Sequence, residues 1–148
     1  MQIYIDADSC PKTIKEAVYK IVVKQRIKTT LVAAQFMQVP LSEFISLKVV
    51  PEGMNAADDK IVELVQEGEL VITSDIPLAD QVVGKNAFVL SPRGELMTQR
   101  NIKERLAVRD LMSEMRENGI VSGGPAPFSD RDRQNFINEL HKFVIKRI

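Results

Sequence analysis

Four aspartates stand where carboxylates can do chemistry. Asp6 and Asp8 form a D-x-D pair at the end of the run Gln2 to Ile5, Asp75 follows Thr73 by two residues at the end of another apolar run, and Asp58 lies between them near the start of a helical segment. Two carboxylates 4 Å apart repel by about 4 kcal/mol at an effective dielectric near 20, and several such pairs approach the ~5–15 kcal/mol that stabilises a whole domain. A cluster of this kind needs protons or a cation. Hard oxygen ligands with no partnering His or Cys select Mg2+ or Mn2+, one or two ions, over zinc. Such ions lower the pKa of a bound water and stabilise the leaving oxygen of a phosphodiester, so the chemistry is metal-assisted phosphoryl hydrolysis. Thr73 and Ser74, just before Asp75, could hydrogen-bond a carboxylate or a metal-bound water from behind. Each acid also has an ordinary explanation. Asp8 and Asp75 precede Pro-containing helix starts and Asp58 falls in a first turn, where carboxylates cap free N–H groups and complement the helix dipole. Asp6, ending a buried strand, has no cap to make.

The acids meet only if the chain folds to bring them together. Gln2 to Ile5, Thr29 to Ala33, Ile45 to Val50, Leu70 to Thr73 and Ala87 to Leu90 read as five short strands. Helices alternate with them. Pro11 opens one with a 3.6-period stripe at Ile14, Ala17, Val18, Ile21 and Val22; Asn55 caps a second that carries Ile61, Leu64 and Val65 and ends at Gly68; a third runs from Asp75 and Pro77 to near Gly84. Pro40 to Phe44 reads as one helical turn. Alternating helices and strands imply an α/β fold with a doubly wound parallel five-stranded sheet. With strand order 3-2-1-4-5, strands one and four are neighbours, the order reverses between them, and ligands gather beyond their carboxyl ends. Asp6, Asp8 and Asp75 then converge. Asp58 and Asp59 are rotated by about 100° from each other, so one faces the site, and Asp58 is the choice.

After Pro92-Arg93-Gly94 the pattern is helical only: Asn101 to Asn118 with a stripe at Val108, Leu111, Met112 and Met115, a loop over Ser122 to Pro127, and a last helix. Ser129 with Asp132 three residues on is a capping-box-like start for that helix, which carries Phe136, Ile137, Leu140 and Val144. The 148 residues form one domain, a 1–95 α/β core with a 96–148 helical extension packed on it.

Twenty basic residues balance twenty acidic ones, but the first ninety residues carry an acidic excess of three and the remainder a basic excess of three. Cys10 is the only cysteine and His141 the only histidine, which excludes an internal disulfide, a multi-cysteine zinc site and a histidine-rich cage. No apolar run approaches the ~18 residues of a membrane span, and acids stand where a signal peptide needs basic and then apolar residues, so the expected location is cytoplasmic. GxxxxGK[ST] and GxGxxG are both missing, which removes nucleotide-cofactor readings. Cys10 precedes a helix start, where a thiol pKa can fall, but it reads better as a structural thiol. Gly123-Gly124-Pro125 reads as a connector, with a flap over the site as the alternative.

The strings IDADSCP (Ile5 to Pro11), NAAD (Asn55 to Asp58), TSDIPLA (Thr73 to Ala79), SPRGE (Ser91 to Glu95), LAVRD (Leu106 to Asp110) and GGPAPFSDRDRQ (Gly123 to Gln134) resemble the YaiI/YqxD family of bacterial proteins through nearly the whole chain. That family resembles the PIN-like nucleases. The resemblance implies the 3-2-1-4-5 sheet, an acidic divalent-metal site and cleavage of nucleic acid, RNA above all. It places metal roles on Asp6, Asp58 and Asp75, with Asp8 as a further ligand or a group just behind them. Asp59 and Asp80 both stay open as the fourth acid of such a site.

Arg105, Arg109 and Arg116 fall within about 40° of one another on their helix, with Asp110, Glu114 and Glu117 on another side. With Arg93 past strand five and Arg131 and Arg133 after the glycine loop, this seam could hold the phosphates of a nucleic-acid partner, or pair with acids elsewhere in the fold. No membrane partner is expected, and a homodimer stays open. Two other functions compete: a phosphatase or phosphotransferase with Asp6 as nucleophile and Asp8 as general acid, and a nucleic-acid-binding or regulatory protein that does not cleave.

Overall fold

A computed structural model describes residues 1–51, 53, 55–120 and 127–147. Six strands form one sheet in the order β3-β2-β1-β4-β5-β6: β1 (Gln2–Asp6), β2 (Lys28–Ala33), β3 (Ile45–Val49), β4 (Leu70–Ile72), β5 (Phe88–Leu90) and β6 (Leu96–Met97). β1 to β5 are parallel, as the alternating pattern requires, and the reversal falls between β1 and β4, where Ile5 is in register with Ile72.

The sheet corrects the expected five strands to six. Beyond β5 the chain turns through Ser91 to Gly94, with Gly94 N donating to Ser91 O (2.9 Å) and Ser91 N to Glu95 O (2.9 Å), and β6 returns antiparallel to β5. Two residues are too few to show alternation, so only the Pro-Arg-Gly turn marked this hairpin in the sequence. Gly94 has φ +89°, and a Cβ there would come within 2.7 Å of the Asn135 carbonyl carbon, so the hairpin tip lies directly against backbone of the last helix.

Helices cover both faces, because a parallel sheet of Ile, Val and Leu must be buried on each side. On one face lie α1 (Lys12–Gln25) and α5 (Asp130–Ile145), whose Ile14, Val18, Phe136 and Leu140 pack with Ile3 and Ile5. α1 buries the five residues of its expected stripe. At roughly 1.5–3 kcal/mol for each Ile and Val among them, and less for Ala17, they anchor the segment that follows Asp8. α5 begins with a true capping box: Asp132 N donates to Ser129 Oγ (3.2 Å) and Ser129 N to Asp132 Oδ2 (3.1 Å). The other face carries α2 (Ala56–Leu64) and α3 (Ile76–Gly84), whose Ile61, Leu78 and Val82 pack with Tyr4 and Val71.

Four local expectations are corrected. Pro40 to Phe44 is not a helical turn; Ser42 bridges antiparallel to Ile45 across a tight turn, and its Oγ accepts from Phe44 N (3.1 Å). α2 ends at Leu64 rather than at Gly68, because Val65 turns extended to bury its side chain. Asn55 precedes α2 but takes a left-handed conformation (φ 65°) and makes no side-chain cap. α4 (Ile102–Glu117) keeps only Ile102 fully buried, and Val108 and Leu111 of its expected stripe are exposed, since the helix docks on α3 through its first turns. Residues 122–126 of the glycine loop, including Gly123-Gly124-Pro125, lie outside the described residues.

Candidate active site

The parallel strands deliver their ends to one edge, and the acids follow. Asp6 is the last residue of β1 and only 4% exposed. Its Oδ2 accepts from Thr73 Oγ1 (2.7 Å) and from Ser9 Oγ (2.9 Å), so the carboxylate is braced from β4 and from its own turn. Thr73 Oγ1 also accepts from Asp75 N (3.0 Å), which ties the β4–α3 connection to Asp6. Asp75 caps α3 through Leu78 N to Oδ1 (3.0 Å). Capping and clustering are therefore both true of Asp75, which keeps a second oxygen besides the capping one.

Asp58, in the first turn of α2, closes the group. It lines a pocket of about 250 Å3 with Asp6, Asp8, Ser9 and Asp75, while Asp59 points outward and is exposed, as the helical offset requires. Burial first, then the charges of Asp6 and Asp75, a side-chain hydrogen bond with Asp75 and the charge of Asp59 push the Asp58 carboxyl up to about 6. Asp6 is raised too: burial dominates, the Thr73 and Ser9 hydrogen bonds oppose it, and the charges of Asp75 and Asp8 add to it. Side chains some seventy positions apart thus feel one another's charge.

The other expected residues are placed less centrally. Asp8 lines the pocket, but its Oδ2 accepts from Ala34 N (2.9 Å), so it pins the end of β2. Asp80 pairs with Lys103 (2.8 Å) between α3 and α4, away from the pocket, which leaves Asp59 as the nearer of the two fourth-acid candidates. Ser74 is exposed and lines a neighbouring cleft instead of bonding the acids. Ser9 was missed by sequence reasoning; a hydroxyl three residues after a strand-end aspartate is the signal that could have found it. Cys10 is buried, and burial pushes its thiol up to about 12, so it is a structural thiol.

The donor set suits a hard cation: three carboxylates, with two hydroxyls holding one of them. Among the described residues, no group of three or more His, Cys, Asp or Glu side chains is arranged to hold one ion as the side chains stand. The set fits by chemistry, and the side chains must shift before one ion can meet all three.

The arginines divide. Arg93 Nη1 pairs with Asp132 Oδ2 (2.9 Å) and its guanidinium lies 5.9 Å from the Phe128 ring centroid. Arg105 pairs with Glu95, and Arg109 with the adjacent Asp110 (3.1 Å). Pairing with acids of the fold, the alternative to phosphate binding, therefore occurs at all three. They nevertheless line clefts that run on from the acidic pocket. Arg93 and Ser9 share one of about 380 Å3, which shares Ile76 and Glu95 with the next, lined by Arg105 and Arg109. Arg116 donates to Ser113 Oγ, and Arg131 and Arg133 line neither cleft. No helix among the described residues is long and apolar enough to cross a membrane.

No solved structure matches the chain. A family model described as "Uncharacterized BCR, YaiI/YqxD family" matches residues 4–146. A UPF0178 protein of Maridesulfovibrio salexigens is 52% identical over 148 residues, covering 100% of this chain and 98% of the relative. One from Shewanella amazonensis is 51% identical over 146 residues (99% and 98%), and one from Cupriavidus pinatubonensis 46% identical over 148 (100% and 99%). With the family model covering nearly every residue and relatives of equal length at about half identity, the chain belongs to the YaiI/YqxD family.

Proposed function

We propose that the protein is a Mg2+- or Mn2+-dependent phosphodiester hydrolase acting on nucleic acid, RNA in the first place, with Asp6, Asp58 and Asp75 as the metal-holding acids. One observation carries this reading: three carboxylates from three separate segments converge at the strand-order reversal, where burial first and then the charges of Asp6 and Asp75 raise the Asp58 carboxyl to about 6. Asp6 would be the fixed ligand, since Ser9 and Thr73 already hold its Oδ2 and leave its other oxygen for the pocket. Asp75 would offer the oxygen not used on Leu78 N, and Asp58 would lose its proton on joining them. When bound, the cation would supply a water ionisable near neutral pH and neutralise charge on the leaving oxygen. Arg105 and Arg109 would position the strand by its phosphates.

The aspartate-nucleophile alternative draws less support, because Asp8, its general acid, spends Oδ2 on Ala34 N. The binding-only alternative draws on Asp80, which is committed to Lys103, and on the acids not standing as a closed cage. Incubating the protein with single-stranded and structured RNA in Mn2+, Mg2+ or chelator separates the readings. Metal-dependent cleavage that disappears in Asp58→Asn and Asp6→Asn supports the hydrolase. Tight binding without turnover supports the binding protein, and aluminium or beryllium fluoride trapped on Asp6 supports the phosphotransferase.

A further inference from the structure

The cleft that adjoins the acidic pocket has a chemistry of its own. Ser9 lines both, and Ser74, next in sequence to Asp75, stands on the cleft wall. The remaining wall is mainly apolar, formed by Phe128, Pro92 and Met97, with Arg93 and Glu95 as the charged groups. An apolar slot of about 380 Å3 with an aromatic ring, a guanidinium near that ring and a few hydroxyls suits a flat ring edged with donors and acceptors. Glu95 would repel a phosphate, but its charge is met by Arg105, and the cleft beyond is lined by Arg109 as well as by Arg105 and the acids Glu95 and Glu104. Acid pocket, apolar slot and an arginine-bearing cleft therefore adjoin in turn, through Ser9 and then through Ile76 and Glu95, which lets a strand set its scissile phosphate at the acids and the base of the flanking nucleotide in the slot.

We propose that the slot lined by Phe128 and Ser74 receives the base of the nucleotide flanking the bond to be cut, so that the substrate is single-stranded nucleic acid. This rests on the hydrolase reading for the role of the acids. The single-strand requirement follows from the slot itself: a base in a duplex is stacked on both faces and paired at its edge, and it reaches a concave wall only after leaving the stack. The mode is stacking on an aromatic side chain, which tolerates any base.

The test is fluorescence anisotropy of the full chain in EDTA, which holds hydrolysis off, with a short labelled RNA oligonucleotide either single-stranded or annealed to its complement. Single strand is expected to bind at least about tenfold more tightly than duplex. Phe128→Leu, which keeps bulk but removes the ring, should weaken single-strand binding about tenfold, and Phe128→Tyr should retain it. Ser74→Tyr, placed at an exposed position, should block the slot without disturbing the core and weaken binding to a similar extent. Equal affinity for duplex and single strand, no binding of either, or wild-type affinity in both Phe128→Leu and Ser74→Tyr overturns the proposal. The two readings fail separately. Metal-dependent cleavage with no effect at Phe128 or Ser74 removes the slot and leaves the hydrolase. Phe128-dependent binding with no cleavage in any divalent cation does the reverse.

Discussion

Replacing Asp58 by Asn removes one negative charge from the crowded pocket while keeping the side-chain shape, and without metal this should stabilise the protein. Asp58 titrates at about 6 against an ordinary 3.8, a rise of about two units, and at about 1.4 kcal/mol per unit a fully shielded group would cost the folded state about 3 kcal/mol once ionised. Asp58 is only partly buried, so solvent screening reduces this to about 1 kcal/mol. For a folded-state pKa above the unfolded one, the stability contributed by the protonated form is complete below the unfolded value near 4 and is lost as pH rises through about 6. Wild type should therefore be penalised at pH 8 and not at pH 4. In chelator at pH 8, Asp58→Asn should melt about 2–4 °C above wild type, and the difference should vanish as pH falls towards 4. Added Mn2+ should reverse the order, because only wild type gains the binding term. Paired thermal melts by circular dichroism at both pH values, with EDTA or Mn2+, read all of this. A variant that melts lower than wild type in chelator at pH 8, or a gain that does not depend on pH, refutes the argument that burial and the neighbouring acids penalise the ionised Asp58.

Other perturbations have equally definite outcomes. Thr73→Val removes one of two donors to Asp6 and the acceptor for Asp75 N, and should cost about 1–3 kcal/mol in urea denaturation; no loss would show that the hydroxyl does not brace the site. Gly94→Ala forces a Cβ against Asn135 and Phe136 backbone at φ +89° and should cost at least about 2 kcal/mol, whereas Gly84→Ala, with open space around it and no positive φ, should be neutral or gain up to about 1 kcal/mol. Equal melting temperatures for these two variants would mean that the hairpin does not press on α5. Arg109→Ala should weaken nucleic-acid binding and lower its salt dependence by about one unit of slope, and an unchanged slope removes that residue from the phosphate contacts.

The architecture was readable because burial on both faces of a parallel sheet writes apolar runs between helical stripes. The α1 stripe from Ile14 to Val22 is buried as its 3.6 period requires, and the Ser129 box caps α5 as its spacing requires. The strand order placed Asp6 and Asp75 together, and the helical offset separated Asp58 from Asp59. Pairing partners were not readable. Whether Arg93 meets a phosphate or Asp132, and whether Asp8 faces the pocket or spends an oxygen on Ala34 N, is decided by contacts between residues 26 to 39 positions apart that no local spacing encodes. β6 escaped because two residues carry no period. The α4 stripe misled because an amphipathic pattern says that a face is apolar, not that another element covers it: Val108 and Leu111 stay exposed.

The central claim is that Asp6, Asp58 and Asp75 form one site for a hard divalent cation. A crystal soaked in Mn2+ and measured for anomalous scattering addresses it directly. The account predicts a peak bonded to carboxylate oxygens of all three, lost in Asp58→Asn. A crystal that takes up manganese elsewhere, or none at this pocket, contradicts it.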